Sequence, residues 1–250
     1  MSRIAISEQV RGAFPSAITL GALACGFASL SFTASGDAAG ATATIIAAML
    51  LDSLDGRVAR AVRAVSKFGA ELDSLSDVVC FGAAPAFILQ NWSLHKAGAL
   101  GWIASLALIC CCALRLARFN VSERSAAAPA WTSDWFTGVP APAGALLSLL
   151  PVFLQQQDVF DVSLSGTATA IYVIAVALLM VSHVPTYGPK VAIRQLPRAV
   201  LFAAVALVLA AVPVLVAQPW FALSAVASAY ALWLPFGWWQ YEHKLRRTCP

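Results

Sequence analysis

Residues 51–77 read LDSLDGRVARAVRAVSKFGAELDSLSD, and the four aspartates there, Asp52, Asp55, Asp73 and Asp77, are a third of the chain's twelve acidic residues. The surrounding 250-residue chain is 60% hydrophobic and only 11% charged. The apolar run before Asp52 covers 38–51, about 21 Å of helix at 1.5 Å per residue. A hydrocarbon core is about 30 Å thick and takes roughly 20 residues to cross. The helix must therefore continue through Asp52 and Asp55 towards Arg60. The next span should begin near Glu71 and carry Asp73 and Asp77 in its first turns. Asp52 and Asp55 are at i,i+3, and Asp73 and Asp77 at i,i+4, so each pair shares a helix face. A single hairpin brings all four carboxylates together at one rim of the membrane.

The rest of the chain supports a membrane reading. Runs without Asp, Glu, Lys or Arg cover 12–36, 38–51, 78–95, 97–114, 135–157, 162–189 and 199–241. Eight spans are expected, near 14–34, 38–61, 71–92, 97–119, 137–156, 166–184, 199–217 and 220–240. The break in the last run falls at AQPW, 217–220. A soluble protein would lack the polar surface to cover so many full-length apolar helices. The first run follows Arg3 and Arg11 but is too long for a signal-peptide core, and is kept as a helix. The expected fold is all-α, a polytopic helical bundle forming one catalytic domain over 1–250.

Cations orient the bundle, because Lys and Arg are in excess on cytoplasmic loops. Fifteen of them fall on the side that holds both termini and the connections 2–3, 4–5 and 6–7, and only Lys96 falls on the other. Both termini and the aspartate rim should face the cytoplasm. The net charge of +4 then reflects topology and attraction to anionic lipid, with no nucleic-acid motif behind it. Six cysteines show no metal or redox spacing; Cys110, Cys111 and Cys112 point about 100° apart on a helix. None of His95, His183 and His243 lies near the acidic stretch.

Four carboxylates at that depth repel one another and are costly to desolvate unless something cationic sits among them. Oxygen-only ligands suit a hard divalent ion such as Mg²⁺ or Mn²⁺, with substrate phosphate completing its shell. Four carboxylates have room for two ions. Gly56 costs about 1 kcal/mol against alanine in a helix, and its bare backbone, extended by Ala59, would let a bulky ligand approach beside Asp55. A cation transporter would place its carboxylates nearer the bilayer midplane.

Written as a pattern, the stretch is D-x2-D-G-x2-A-R-x8-G-x3-D-x3-D, filled by Asp52, Asp55, Gly56, Ala59, Arg60, Gly69, Asp73 and Asp77. This resembles the signature of the CDP-alcohol phosphatidyltransferase family at every fixed position. The flanks FGAELDSLSDVVCFGAAPA (68–86), RLARFNV (115–121) and FTGVPAPAGA (136–145) resemble its phosphatidylserine-synthase branch. Pro15 and Thr19 also fit, whereas Ser16 and Ala22 stand where members often carry asparagine. Spans 7 and 8, at 199–240, resemble that branch only in hydropathy.

The resemblance implies transfer of a phosphatidyl group from CDP-diacylglycerol to serine, releasing CMP, by a bacterial inner-membrane homodimer. It implies Asp52, Asp55 and Asp73 as ligands of two divalent cations, Mg²⁺ or Mn²⁺. Asp77, also near metal, becomes the base that takes the acceptor's proton. Asp55, Gly56, Ala59, Arg60 and Gly69 become the CDP pocket. Glycerol 3-phosphate or an inositol phosphate is the alternative acceptor. Serine's carboxylate needs a cation of its own, and Arg118 backed by Asn120 is the expected site.

Overall fold

A computed structural model describes residues 3–62, 64, 66–124, 135–157, 165–182, 185–187 and 218–248. Its helices are α1 (Arg3–Ala34), α2 (Ala38–Ala61), α3 (Lys67–Asp77), α4 (Ala84–Trp92), α5 (Ala99–Arg124), α6 (Ala141–Gln155), α7 (Gly166–Val181) and α8 (Pro219–Thr248). A π-helical turn, Val78–Ala83, joins α3 to α4 without a break, and a 3₁₀ turn, Leu94–Ala97, precedes α5. Four stretches are long and apolar enough to cross a membrane: Ala13–Ala34, Ala38–Ala61, Lys67–Trp92 and Ala99–Val121. The helices α6 and α7 are shorter and apolar, and α8 covers the span expected at 220–240. The span expected at 199–217 lies outside the described residues.

The first three expected spans take their ends from local chemistry. Asp37 caps α2 by accepting from the Gly40 N–H at 2.8 Å. Gly36, at φ +81°, turns the chain between α1 and α2. Ser66 caps α3 by accepting from the Gly69 N–H at 3.0 Å. These caps satisfy orphan donors at helix starts, and they leave a connection of only a few residues between α2 and α3. That shortness makes the acidic stretch a tight hairpin, as its spacing predicts.

Packing is by small residues and buried apolar side chains. Against the π turn, Gly26 of α1 leaves no room for a Cβ, which would sit 2.6 Å from the Cys80 Sγ. Small residues let helices approach closely where lipid supplies no hydrophobic drive. Phe81 of the π turn, Leu108 and Cys112 of α5, Ala145 and Phe153 of α6 and Met180 of α7 lie in one core, to which α2 adds Ile45 and α8 adds Leu223. Outside it, Phe27, Leu50, Trp102, Leu114, Ile171 and Leu232 are exposed. An apolar surface of that extent belongs against lipid. The protein is an integral membrane protein.

The fold is the expected all-α bundle, with one short strand pair beside its helices. Residues Trp135–Thr137 (β1) and Pro185–Tyr187 (β2) pair antiparallel. Strands of three residues are too short to show alternation in a sequence.

Candidate active site

Asp52 and Asp55 lie in the C-terminal half of α2, and Asp73 and Asp77 in α3, which packs beside α1 and α5. One carboxylate oxygen from each of Asp52, Asp55 and Asp73 lies within 4.8 Å of the others. Asp52 is also within hydrogen-bonding reach of both Asp73 and Asp77. Asp55 and Asp77 are buried, and Asp52 and Asp73 half-buried. The hairpin thus unites all four carboxylates, with Asp52 as the common neighbour.

Asp77 is the last residue of α3, and the π turn starts at Val78. Such turns add a residue to the helical repeat and occur often at functional sites. Here the turn shifts the register of the residues that follow Asp77, and Cys80 and Phe81 within it are buried in the core.

The donor set fits a hard divalent cation. It is all oxygen and anionic, and oxygens within 4.8 Å of one another suit a shell with metal–oxygen distances of about 2.0–2.6 Å. Two buried carboxylates beside two half-buried ones are strongly unfavourable without a compensating charge. Arg115 of α5 interacts electrostatically with Asp77, which leaves most of the negative charge to be met by something else.

A buried hydroxyl fixes the orientation of one carboxylate. Thr19 of α1, which is 4% exposed, donates to Asp55 Oδ2 at 2.7 Å. Partners of metal-binding carboxylates typically carry about 10–100-fold in metal affinity or activity. Thr19→Val keeps the shape and removes the donor. It is expected to raise the metal concentration needed for half-maximal activity by about tenfold, the low end of that range. An unchanged metal requirement would leave the bond with a packing role only.

The family profile for CDP-alcohol phosphatidyltransferases matches residues 13–182, which span the whole aspartate hairpin. The chain belongs to this family. It is 35% identical over 223 residues to the CDP-diacylglycerol–serine O-phosphatidyltransferase of Mycobacterium tuberculosis, covering 89% of this chain and 77% of that one. The enzyme of the same name from Helicobacter pylori is 35% identical over 173 residues, 68% of this chain and 70% of that one. That of Methanocaldococcus jannaschii is 40% identical over 149 residues, 59% of this chain and 64% of that one.

Of the residues that the family pattern marks for the nucleotide, Gly56 and Ala59 are half-buried and Arg60 is exposed. A Cβ on Gly56 would meet the Arg60 guanidinium nitrogens at 3.6 and 3.9 Å, ordinary contact distances. The Arg60 guanidinium therefore lies alongside Gly56, next to Asp55. Gly69 has a local duty as well, as its N–H bonds the Ser66 hydroxyl.

The expected acceptor pair, Arg118 and Asn120, makes contacts between helices. Arg118 is exposed, and its Nη1 donates to the Val181 carbonyl at the end of α7, at 2.8 Å. Asn120 donates to Ser74 Oγ of α3 at 3.0 Å and to Glu71 Oε2 at 3.4 Å. Both residues thus tie α5 to its neighbours, Asn120 to the middle of α3 and Arg118 to the end of α7. Neither the Thr19–Asp55 bond nor the direction of Arg115 is legible in the sequence. Thr19 stands out there only as a match to the family pattern, with no indication of its partner. Among the histidines, His95 Nδ1 lies 3.1 Å from the Gln90 carbonyl. His183 and the side chain of His243 lie outside the described residues.

Proposed function

We propose that the protein transfers the phosphatidyl group of CDP-diacylglycerol to the hydroxyl of L-serine, yielding phosphatidylserine and CMP. The observation that carries this reading is the convergence of the four signature aspartates in one hairpin. Its support in chemistry is that relatives named for that activity match most of this chain. Asp52, Asp55 and Asp73 would hold Mg²⁺ or Mn²⁺, two ions on the family pattern. Such ions supply neutralisation of the diphosphate and of the charge that develops on the leaving group.

The chain's own residues do the rest. Arg60 and the bare backbone at Gly56 receive the CDP moiety, with Ala59 and Gly69 as its floor. The serine oxygen forms a bond to the lipid-side phosphorus in line with the departing CMP, whose phosphate oxygen keeps the electron pair. Asp77 takes the hydroxyl proton. The rim location suits a substrate whose acyl chains stay in the bilayer while its CDP group and serine come from water. We place that rim on the cytoplasmic face of a bacterial inner membrane, on the cation asymmetry. We read the protein as a homodimer, which its mass in detergent would check.

Arg118 and Asn120, at the cytoplasmic end of α5, are assigned to the entry of the serine carboxylate. Because Arg118 is exposed, its loss should act as a rim charge does, through association rate and salt dependence. Arg118→Ala is expected to raise the serine KM about fivefold, and less at high salt, in keeping with a screened pair worth about 1 kcal/mol. A serine KM unaffected at low salt would remove Arg118 from the route.

The function itself is tested by incubating purified protein with CDP-diacylglycerol, Mn²⁺ or Mg²⁺ and a panel of serine, glycerol 3-phosphate and inositol phosphate. Phosphatidylserine with equimolar CMP is the expected product. A lipid product that carries a second phosphate, from glycerol 3-phosphate or inositol phosphate, would instead reassign the acceptor.

A further inference from the structure

Two polar atoms, one on α5 and one on α8, are buried without hydrogen-bond partners. Among the described residues, Arg115 Nε and Tyr230 OH are two of only three buried side-chain nitrogens or oxygens that lack a hydrogen bond; the third is Thr42 Oγ1. Arg115 and Tyr230 interact electrostatically with each other, and Arg115 also with Asp77. Tyr230 packs against the helical core from α8, and α8 lies beyond residues 13–182 that the family profile matches.

Buried polar groups are nearly always satisfied, and at membrane depth no bulk water stands in. The Arg115 Nε–H can only donate, while the Tyr230 hydroxyl can donate or accept. Two open donors that interact electrostatically, one of them permanently cationic, match the chemistry of an oxyanion.

Distance along the helix sets the choice of anion. In serine the carboxylate and the reacting hydroxyl are separated by two carbon atoms, so the anion must sit close to the base that takes the proton. Arg115 faces Asp77. Arg118 is three residues further along, about 4.5 Å nearer the helix end, with one donor already given to Val181. We propose that Arg115 of α5 and Tyr230 of α8 together seat the anionic group of the acceptor, the carboxylate when it is serine. This inference rests on the reading of an anionic acceptor above. It gives α8 a part in choosing the acceptor, and it makes Arg118 an outer station on the same path. The lipid phosphate of CDP-diacylglycerol offers the same chemistry and is the rival occupant.

Tyr230→Phe keeps the ring and its packing and removes only the hydroxyl. Arg115→Lys keeps the charge and removes the Nε–H. With the purified full-length protein in detergent, each is expected to raise the serine KM about tenfold, the effect of one lost hydrogen bond to a charged group. The KM for CDP-diacylglycerol should stay as in the wild type. A rise in the CDP-diacylglycerol KM with serine unaffected would give the site to the lipid phosphate and overturn the proposal. No change in either KM for Tyr230→Phe would overturn it too. If the wild type turned over glycerol 3-phosphate and not serine, the serine reading would fall. Tyr230→Phe should then raise the glycerol 3-phosphate KM, and an unchanged value would end the inference separately.

Discussion

Asp77→Asn is expected to abolish turnover while leaving the protein folded and able to bind CDP-diacylglycerol. Asparagine matches aspartate in size but cannot take a proton. A positioned general base contributes about 10²–10⁴-fold, so kcat should fall by at least the lower figure. The structure makes this the residue to test. Asp77 is buried, lies within hydrogen-bonding reach of Asp52, and faces Arg115. It is outside the trio whose oxygens lie within 4.8 Å of one another, so its loss should spare most metal binding. The check is phosphatidylserine formation at saturating serine, alongside binding of CDP-diacylglycerol to the same preparation. Near-normal kcat would assign proton removal to another group.

Asp52→Asn and Asp73→Asn should fail in a different way. Each deletes a charged oxygen ligand from the trio. Partners one shell further out already carry about 10–100-fold, so losing a ligand should reduce activity by about 100-fold or more at ordinary metal concentration. Raising Mg²⁺ or Mn²⁺ should restore part of it, because the defect is in affinity. Asp52 should be the more severe of the two, since it adjoins both Asp73 and Asp77. Rescue of Asp77→Asn by metal, or none for Asp73→Asn, would reverse the assigned roles.

Much of this was legible in the sequence for physical reasons that can be named. An apolar run of 14 residues is too short to span, so α2 had to carry Asp52 and Asp55 into the membrane rim; it ends at Ala61 as expected. Spacing put each aspartate pair on one helix face, and the short connection from Ala61 to Lys67 did the rest. Other features leave no such trace. The π turn after Asp77 has no compositional signature and is set by how α3 and α4 pack on α1 and α5. The bond from Thr19 to Asp55 joins residues 36 apart, and nothing local announces it. Arg115 and Arg118 look equivalent in RLAR, yet three residues of helix turn them about 60° apart. That rotation aims one at Asp77 and the other at the end of α7. Tyr230 sits in a stretch legible only as hydropathy, so its partner across the bundle could not be read.

Every step above depends on the hairpin carboxylates acting as one metal-binding unit. Equilibrium binding of Mn²⁺ to the purified protein, followed by loss of the free-ion electron paramagnetic resonance signal, tests that without reference to turnover. Saturable binding is expected, lost in Asp52→Asn and Asp73→Asn and largely kept in Asp77→Asn. Mn²⁺ binding that was absent from the wild type, with or without CDP-diacylglycerol, or that was indifferent to Asp52 and Asp73, would contradict it.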